Sequence, residues 1–222
     1  MNMTAAFVTL IDYGVGNLFS VRRAFEHCGA QVLLTADPTE IAQAERLVLP
    51  GVGAFANGMH ELRARGLIAP IQEYARADRP FLGICLGMQM MLEISEEFGT
   101  HAGLGLIPGK VIAVPSSGAT GAPHKVPHIG WNDIHYPVPG IQWEQTILEG
   151  LPQDASVYFV HSFTAFPADE SHRLADCDYD GCRLSAVIRS GNLYGCQFHP
   201  EKSGENGLRI IRNFLALPAA AQ

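Results

Sequence analysis

Residues 80–91, Pro-Phe-Leu-Gly-Ile-Cys-Leu-Gly-Met-Gln-Met-Met, pass from an apolar run of strand formers to a run of helix formers with no loop between them. The change falls across Gly83-Ile84-Cys85-Leu86-Gly87, which has the G-x-S-x-G form of a nucleophile elbow with cysteine in place of serine. Such a turn requires a strand that ends at the edge of a sheet and a helix that starts at once. The flanking positions need side chains no larger than hydrogen, and the central residue is forced into a strained conformation with its side chain above the sheet. A helix over 86–97 would point its N-terminus at the sulfur and favour the thiolate, the reactive form. A buried cysteine packed between two glycines is the other reading this short pattern leaves open.

The surrounding pattern supplies a sheet for the elbow. Short apolar runs at 7–12, 31–36, 46–51 and 81–85 read as strands, and helix-like stretches occupy 17–29 and 57–78. Strands separated by helices imply a largely parallel sheet covered on both faces. Later in the chain, 156–166 and 184–199 read as strands, the second with a hairpin turn at Ser190-Gly191-Asn192, and 206–217 reads as an amphipathic closing helix. The Pro-, Gly- and Ser-rich stretch 114–127 reads as a surface loop and not as a domain boundary. The expected fold is therefore α/β: one domain over 1–222 with a mixed, mostly parallel central sheet, helices on both faces and a nucleophile elbow.

Composition excludes several classes. The chain has 222 residues, 47% hydrophobic and 17% charged, enough for a core without disulfide staples. A net charge of −7 with no basic block argues against a nucleic-acid or anionic-membrane surface. No apolar run approaches the ~20 residues of a membrane span, and the start lacks a signal-peptide pattern. Five irregularly spaced cysteines point to reduced thiols and a cytoplasmic setting.

A thiol nucleophile needs a base that a third group holds. Of nine histidines, His199 ends an apolar run, with Glu201 two residues on; on an extended segment those two side chains share a face, so the carboxylate can fix the imidazole tautomer. His27, His60, His101 and His172 lie among polar neighbours and carry no expected role. An anion site is offered by Leu47–Phe55, where a strand ends at Pro50 and the backbone of Gly51, Val52 and Gly53 is left open to a ligand. Gly51–Ala56 also fits a dinucleotide fingerprint, but the acidic partner would fall near Glu73, inside a helix-like stretch. Asp176, Asp178 and Asp180 open like a calcium loop whose twelfth position is Val187 instead of glutamate. Cys177, Cys182 and Cys196 lack zinc spacing. Neither a metal nor a cofactor is expected.

Gly83–Gln89, Pro50–Gly53 and His199-Pro200-Glu201, in that order, resemble the class I (triad) glutamine amidotransferases over nearly the whole chain. Five further stretches, DYGVGNL (12–18), PGVGAF (50–55), KVPHIGWN (125–132), YFVHSF (158–163) and FHPEKS (198–203), are similar to one branch of that family, the glutaminase subunits of imidazole glycerol phosphate synthase in histidine biosynthesis. An end soon after Leu217 fits a free-standing subunit. The resemblance implies that Cys85 attacks the side-chain amide of L-glutamine, that His199 moves the protons and that Glu201 orients it. It implies an oxyanion hole at Gly51–Gly53 by way of the Val52 amide. Gln89 and Glu97, eight positions apart and on one face of the expected helix, would line the substrate pocket, Glu97 meeting the α-amino group, with His161, Ser162 and Phe163 as the other wall. It further implies a heterodimer with a (β/α)8-barrel cyclase that receives the ammonia, docked through Asn17, Trp131, Tyr158 and Lys202. A triad glutaminase of pyridoxal phosphate, anthranilate or guanylate synthesis, or a silent docking subunit, are the alternatives. Two departures stand out: 116–124 is longer than the family pattern, and Phe163 occupies a position where tyrosine is also common.

Overall fold

The computed structural model describes residues 6–219; residues 1–5 and 220–222 of the expected domain lie outside the described residues. In chain order the elements are β1 (Phe7–Ile11), α1 (Leu18–His27), β2 (Gln31–Thr35), α2 (Pro38–Gln43), β3 (Leu47–Gly51), α3 (Phe55–Ala64), α4 (Ile68–Arg76), β4 (Phe81–Cys85), α5 (Leu86–Met90), β5 (Leu92–Ser95), β6 (His101–Ala102), β7 (Ile107–Ala113), β8 (His128–His135), β9 (Ala155–His161), β10 (Phe163–Pro167), β11 (Arg173–Tyr179), β12 (Cys182–Ser190), β13 (Leu193–Cys196) and α6 (Gly204–Ala216). Nine strands form one mixed sheet in the order β2-β1-β3-β4-β13-β12-β11-β8-β9, and four form a second in the order β10-β7-β5-β6. From β2 to β13 the large sheet is parallel, and from β13 to β9 it is antiparallel.

Successive side chains of the parallel strands enter opposite layers, as the two-residue period of a strand requires. Val8, Leu10, Val48, Leu82 and Ile84 pack against Val21 and Phe25 of α1 and Ile210 and Phe214 of α6. Ile11, Leu47, Leu49 and Phe81 pack on the other face against Ile41, Met59, Leu62, Ile71 and Tyr74 of α2, α3 and α4. Both faces are thus covered, which explains why these strands read as continuous apolar runs. The second sheet joins the latter layer through Leu92, Ile107, Val111 and Ala165.

Three local expectations are corrected. The helix-like stretch 57–78 is two helices, broken at Gly66, whose φ of +69° ends α3 while the Leu67 amide returns to the Leu62 carbonyl at 2.9 Å. The strand read over 156–166 is two strands that part at Ser162 and join different sheets. The helix expected over 86–97 stops at Met90, because the next residues pair with β7 and β6. The acidic segment 173–179, already set aside as a calcium loop on its sequence, is strand β11, and buried Asp176 is held by Arg173 at 2.7 Å and Arg183 at 2.9 Å. Among the described residues no helix is long and apolar enough to cross a membrane, and no three acidic, histidine or cysteine side chains converge to hold a metal ion.

Candidate active site

β4 ends at Cys85 and α5 begins at Leu86, so the chain reverses from strand to helix on one residue. Cys85 has φ +53° and ψ −110°, a left-handed conformation for a side chain, of a kind that costs on the order of 1–3 kcal/mol. The glycines explain how it is held. A Cβ on Gly87 would overlap the Leu49 carbonyl oxygen, and one on Gly83 would lie 2.7 Å from the Met88 nitrogen. Close packing of α5 onto β3 and β4 therefore fixes the strained residue. Since α5 is only five residues long, its dipole is small, and the charge set against the sulfur comes mainly from a side chain described next.

That side chain is His199. β13 lies beside β4 in parallel register, Cys196 opposite Ile84, and the chain then carries His199 to the same edge of the sheet. Its Nδ1 lies 2.8 Å from Glu201 Oε1, both side chains almost completely buried. Glu201 sits in a 3-10 turn, Pro200–Lys202, and not on extended chain, so it curls back onto the ring. His199 Nε2 is buried with no formed hydrogen bond, which leaves it the free nitrogen of the ring. Burial works to lower the imidazole pKa. The nearby Cys85 side chain and the hydrogen bond and charge of Glu201 outweigh burial and lift it from 6.5 to about 9. The ring is an imidazolium at neutral pH, the partner a thiolate needs.

β3 runs on the other side of β4 with Gly51 opposite Cys85. Its end is pinned by Tyr13, whose hydroxyl donates to the Pro50 carbonyl at 2.8 Å and whose pKa is raised first by burial and then by the charge of Cys85. Val52 and Gly53 line a cavity of about 350 Å³ together with Cys85, Leu86, Gln89, Glu97, Pro127, Val160, His161, Ser162, Phe163 and His199. Gly51 is buried behind that wall.

The remaining pocket residues arrive by routes the sequence did not show. Glu97 reaches the cavity from the end of β5, and its Oε2 accepts from the Phe55 amide at 2.6 Å, capping α3 where Ala54 offers no side-chain cap. Gln89 donates to the Phe163 carbonyl at 2.9 Å and to Gln197 Oε1 at 3.1 Å. Gln197, fully buried, directs its amide at Cys85 Sγ across 3.8 Å. Sequence reasoning passed over Gln197; its only signal was a polar residue inside an apolar run two positions before His199. His161 also faces the cavity, but burial above all, with His128 and His199 adding to it, pushes its pKa down to about 3. One cavity thus holds a charged and a neutral imidazole.

Trp131 and Tyr158 face each other across β8 and β9, ring centroids 6.1 Å apart, and Lys202 Nζ lies 6.0 Å from the Tyr158 ring centre. Trp131 and Ile129 are 59% and 58% exposed on β8, near the edge of the large sheet. Asn17 caps α1, accepting from the Ser20 amide at 3.4 Å, and α1 packs beside the turn that carries Glu201 and Lys202. Trp131, Tyr158 and Lys202 thus lie together beside the turn that carries Glu201, and the helix that Asn17 caps packs against that turn. The loop 114–127 folds back on the β11–β12 hairpin through Ala119–Asp180 and Tyr179–Lys125 bonds, and Pro127 reaches the cavity wall.

Residues 9–217 match the model of the family described as glutamine amidotransferase class-I. The chain is 58% identical over 210 residues to "Imidazole glycerol phosphate synthase subunit HisH 1" of Legionella pneumophila (strain Lens), covering 95% of this chain and 99% of that protein. It is 48% identical over 208 residues to "Imidazole glycerol phosphate synthase subunit HisH" of Syntrophotalea carbinolica, covering 93% and 98%. Among solved structures it resembles a crystal structure of a glutamine amidotransferase, with a TM-score of 0.70, 18% identity and coverage of 94% and 97%. It also resembles the structure of PurLQS from Thermotoga maritima, with a TM-score of 0.68, 19% identity and coverage of 96% and 98%. At those identities the two structures speak for the fold alone.

Proposed function

The chain belongs to the class-I glutamine amidotransferases, among the HisH subunits of imidazole glycerol phosphate synthase, and from that premise we propose that it hydrolyses L-glutamine through Cys85, His199 and Glu201 and passes the ammonia to a cyclase subunit. Glutamine enters the cavity with its side-chain amide over the sulfur. The Cys85 thiolate attacks the amide carbon, and the oxygen that gains charge is met by the backbone at Val52 and Gly53. Each such donor is worth about 3 kcal/mol to a developing oxyanion. The His199 imidazolium gives its proton to the departing nitrogen, and ammonia leaves a γ-glutamyl thioester on Cys85. The now neutral His199 takes a proton from water, the resulting hydroxide cleaves the thioester, and glutamate is released with the thiolate restored. Glu201 keeps Nδ1 protonated throughout, so that Nε2 faces the chemistry. Gln89 and Glu97 hold the amino-acid end of the substrate, and His161, Ser162 and Phe163 form the opposite wall.

Ammonia that escaped to water would be protonated and lose its nucleophilicity. The reaction therefore calls for a partner sealed onto the face around Asn17, Trp131, Tyr158 and Lys202. We infer a (β/α)8-barrel cyclase in a heterodimer, making imidazole glycerol phosphate and an aminoimidazole carboxamide ribotide. Five unpaired cysteines among the described residues fit a cytoplasmic setting. The observation that carries the reading is the Glu201–His199 pair at 2.8 Å, with His199 lining the cavity that also holds a positive-φ cysteine. Cys85→Ala is expected to abolish glutamate release while leaving the complex with the cyclase intact. Full activity in that variant would end the mechanism.

A further inference from the structure

His128 takes no part in the chemistry above, yet it is 2% exposed and its ring is stacked between Phe159, at 4.8 Å, and Tyr179, at 4.1 Å. Its Nδ1 lies 3.0 Å from His161 Nε2, and His161 Nδ1 lies 2.9 Å from the Phe163 carbonyl oxygen. A carbonyl can only accept, so His161 carries its proton on Nδ1. Its Nε2 is then an acceptor, and His128 must donate to it from its own Nδ1. The far nitrogen of His128, Nε2, faces the Asn132 amide nitrogen at 3.4 Å. That amide is fixed in turn, because its nitrogen donates to the Asp178 carbonyl at 2.7 Å and its oxygen accepts from the Asp133 amide at 2.8 Å. The carbonyls at the two ends therefore set every proton in the row.

The row joins two places that matter. At one end the Phe163 carbonyl, held by both His161 and Gln89, shapes the wall of the glutamine cavity. At the other, Asn132 is the neighbour of exposed Trp131, which packs against half-buried Tyr158. In the β8–β9 register His128 lies opposite His161 and Trp131 opposite Tyr158, so the same two strands carry the row and the docking pair.

Resting on the glutaminase reading of the cavity, we propose that His128 and Asn132 are positioning residues for the glutamine site: the His128 Nδ1–H donor occupies His161 Nε2, and so holds the Nδ1–H His161 ring and, through it, the Phe163 carbonyl in place. Without that donor, His161 Nε2 would be a buried acceptor with no partner, and the ring that holds the Phe163 carbonyl would be free to turn. The ionisable groups around the row are His124, Asp180 and Tyr179 beside His128, and His199 and Cys85 on the side of His161. Burial is the main reason both rings stay neutral, with His128 lowered to about 4.

Two measurements on the full chain test this. Nitrogen NMR of ¹⁵N-histidine-labelled protein in complex with the cyclase should show His128 and His161 neutral and protonated on Nδ1 at pH about 6.5. A His161 ring protonated on Nε2, or charged, would overturn the proposal. In glutamine kinetics, His128→Phe keeps the stack but removes the donor, and should raise KM about tenfold with kcat within about twofold. His128→Gln restores an N–H donor and should recover most of that loss; an equal rise in both variants would show that the donor is irrelevant. If His128→Phe does not fold, the tautomer measurement and the Gln variant decide. The NMR result requires no glutamine chemistry, so an active Cys85→Ala variant would remove the glutaminase reading without touching the tautomer.

Discussion

Replacing Glu201 by glutamine removes one charge from the proposed triad and little else, because the side chain keeps its size in its turn. The Glu201–His199 contact is 2.8 Å long and almost completely buried, so solvent screening is slight. Raising the imidazole from 6.5 to about 9, against the opposing effect of burial, corresponds to roughly 3 kcal/mol in favour of its charged form. Cys85 and Glu201 share that effect. If the carboxylate supplies about half, its loss is roughly 1.5–2 kcal/mol, ~10–30-fold in the equilibrium constant for protonating the ring. A neutral amide can also present its oxygen or its nitrogen to Nδ1, and the wrong choice misplaces the proton, so the fall in kcat/KM should reach about 100-fold. The sign of the pH effect follows from the direction of the shift. The active pair needs a protonated ring, which exists below the raised pKa, so activity declines as pH rises through about 9. In Glu201→Gln that alkaline limb should move down to about 7.5–8, since a cause of the raised value is gone and burial remains. Glutamate release by the complex, measured between about pH 6 and 10, reads both effects. A loss below about twofold with the limb still near 9 would refute the claim that Glu201 holds the base.

Three other variants probe separate parts of the account. Gly87→Ala would drive a methyl group into the Leu49 carbonyl and should cost about 3 kcal/mol or more in urea unfolding, or abolish glutaminase activity by opening the elbow. Gln197→Leu keeps the volume but leaves Gln89 with one acceptor instead of two; it should cost roughly 1–3 kcal/mol of stability and reduce turnover, read by urea unfolding and by glutamate release. Trp131→Ala should weaken cyclase binding by about 2 kcal/mol, ~30-fold in Kd by calorimetry, with an unchanged thermal midpoint for the isolated chain.

What the sequence disclosed was whatever depends on short-range spacing. The elbow was legible because its requirements fall within five residues, and the central parallel strands β3 and β4 because both covered faces demand buried side chains at every position. His199 and Glu201 were legible as a pair, although a 3-10 turn and not an extended segment brings them together. What stayed hidden depends on distant partners. Leu86 to Glu97 is rich in helix formers, but pairing of Leu92–Ser95 with β7 and β6 overrides local preference after Met90. Glu97 consequently reaches the pocket from a strand end, and the helical spacing that first suggested its placement plays no part. Strand β8 escaped notice because its alternating face consists of His128, Gly130, Asn132 and Ile134, residues whose burial is decided by β9 and β11. The second sheet was invisible for the same reason, since β10 pairs with a strand about fifty positions earlier in the chain.

The central claim is that a single thiol is activated in the cavity and becomes acylated. Treating the complex with a glutamine analogue that carries an electrophile, then mapping the modified peptide by mass spectrometry, tests it most directly. One label per chain on Cys85, prevented by excess glutamine and matched by loss of glutamate release, is the predicted result. Labelling at Cys28, Cys177, Cys182 or Cys196 instead, or activity that survives full modification of Cys85, would contradict it.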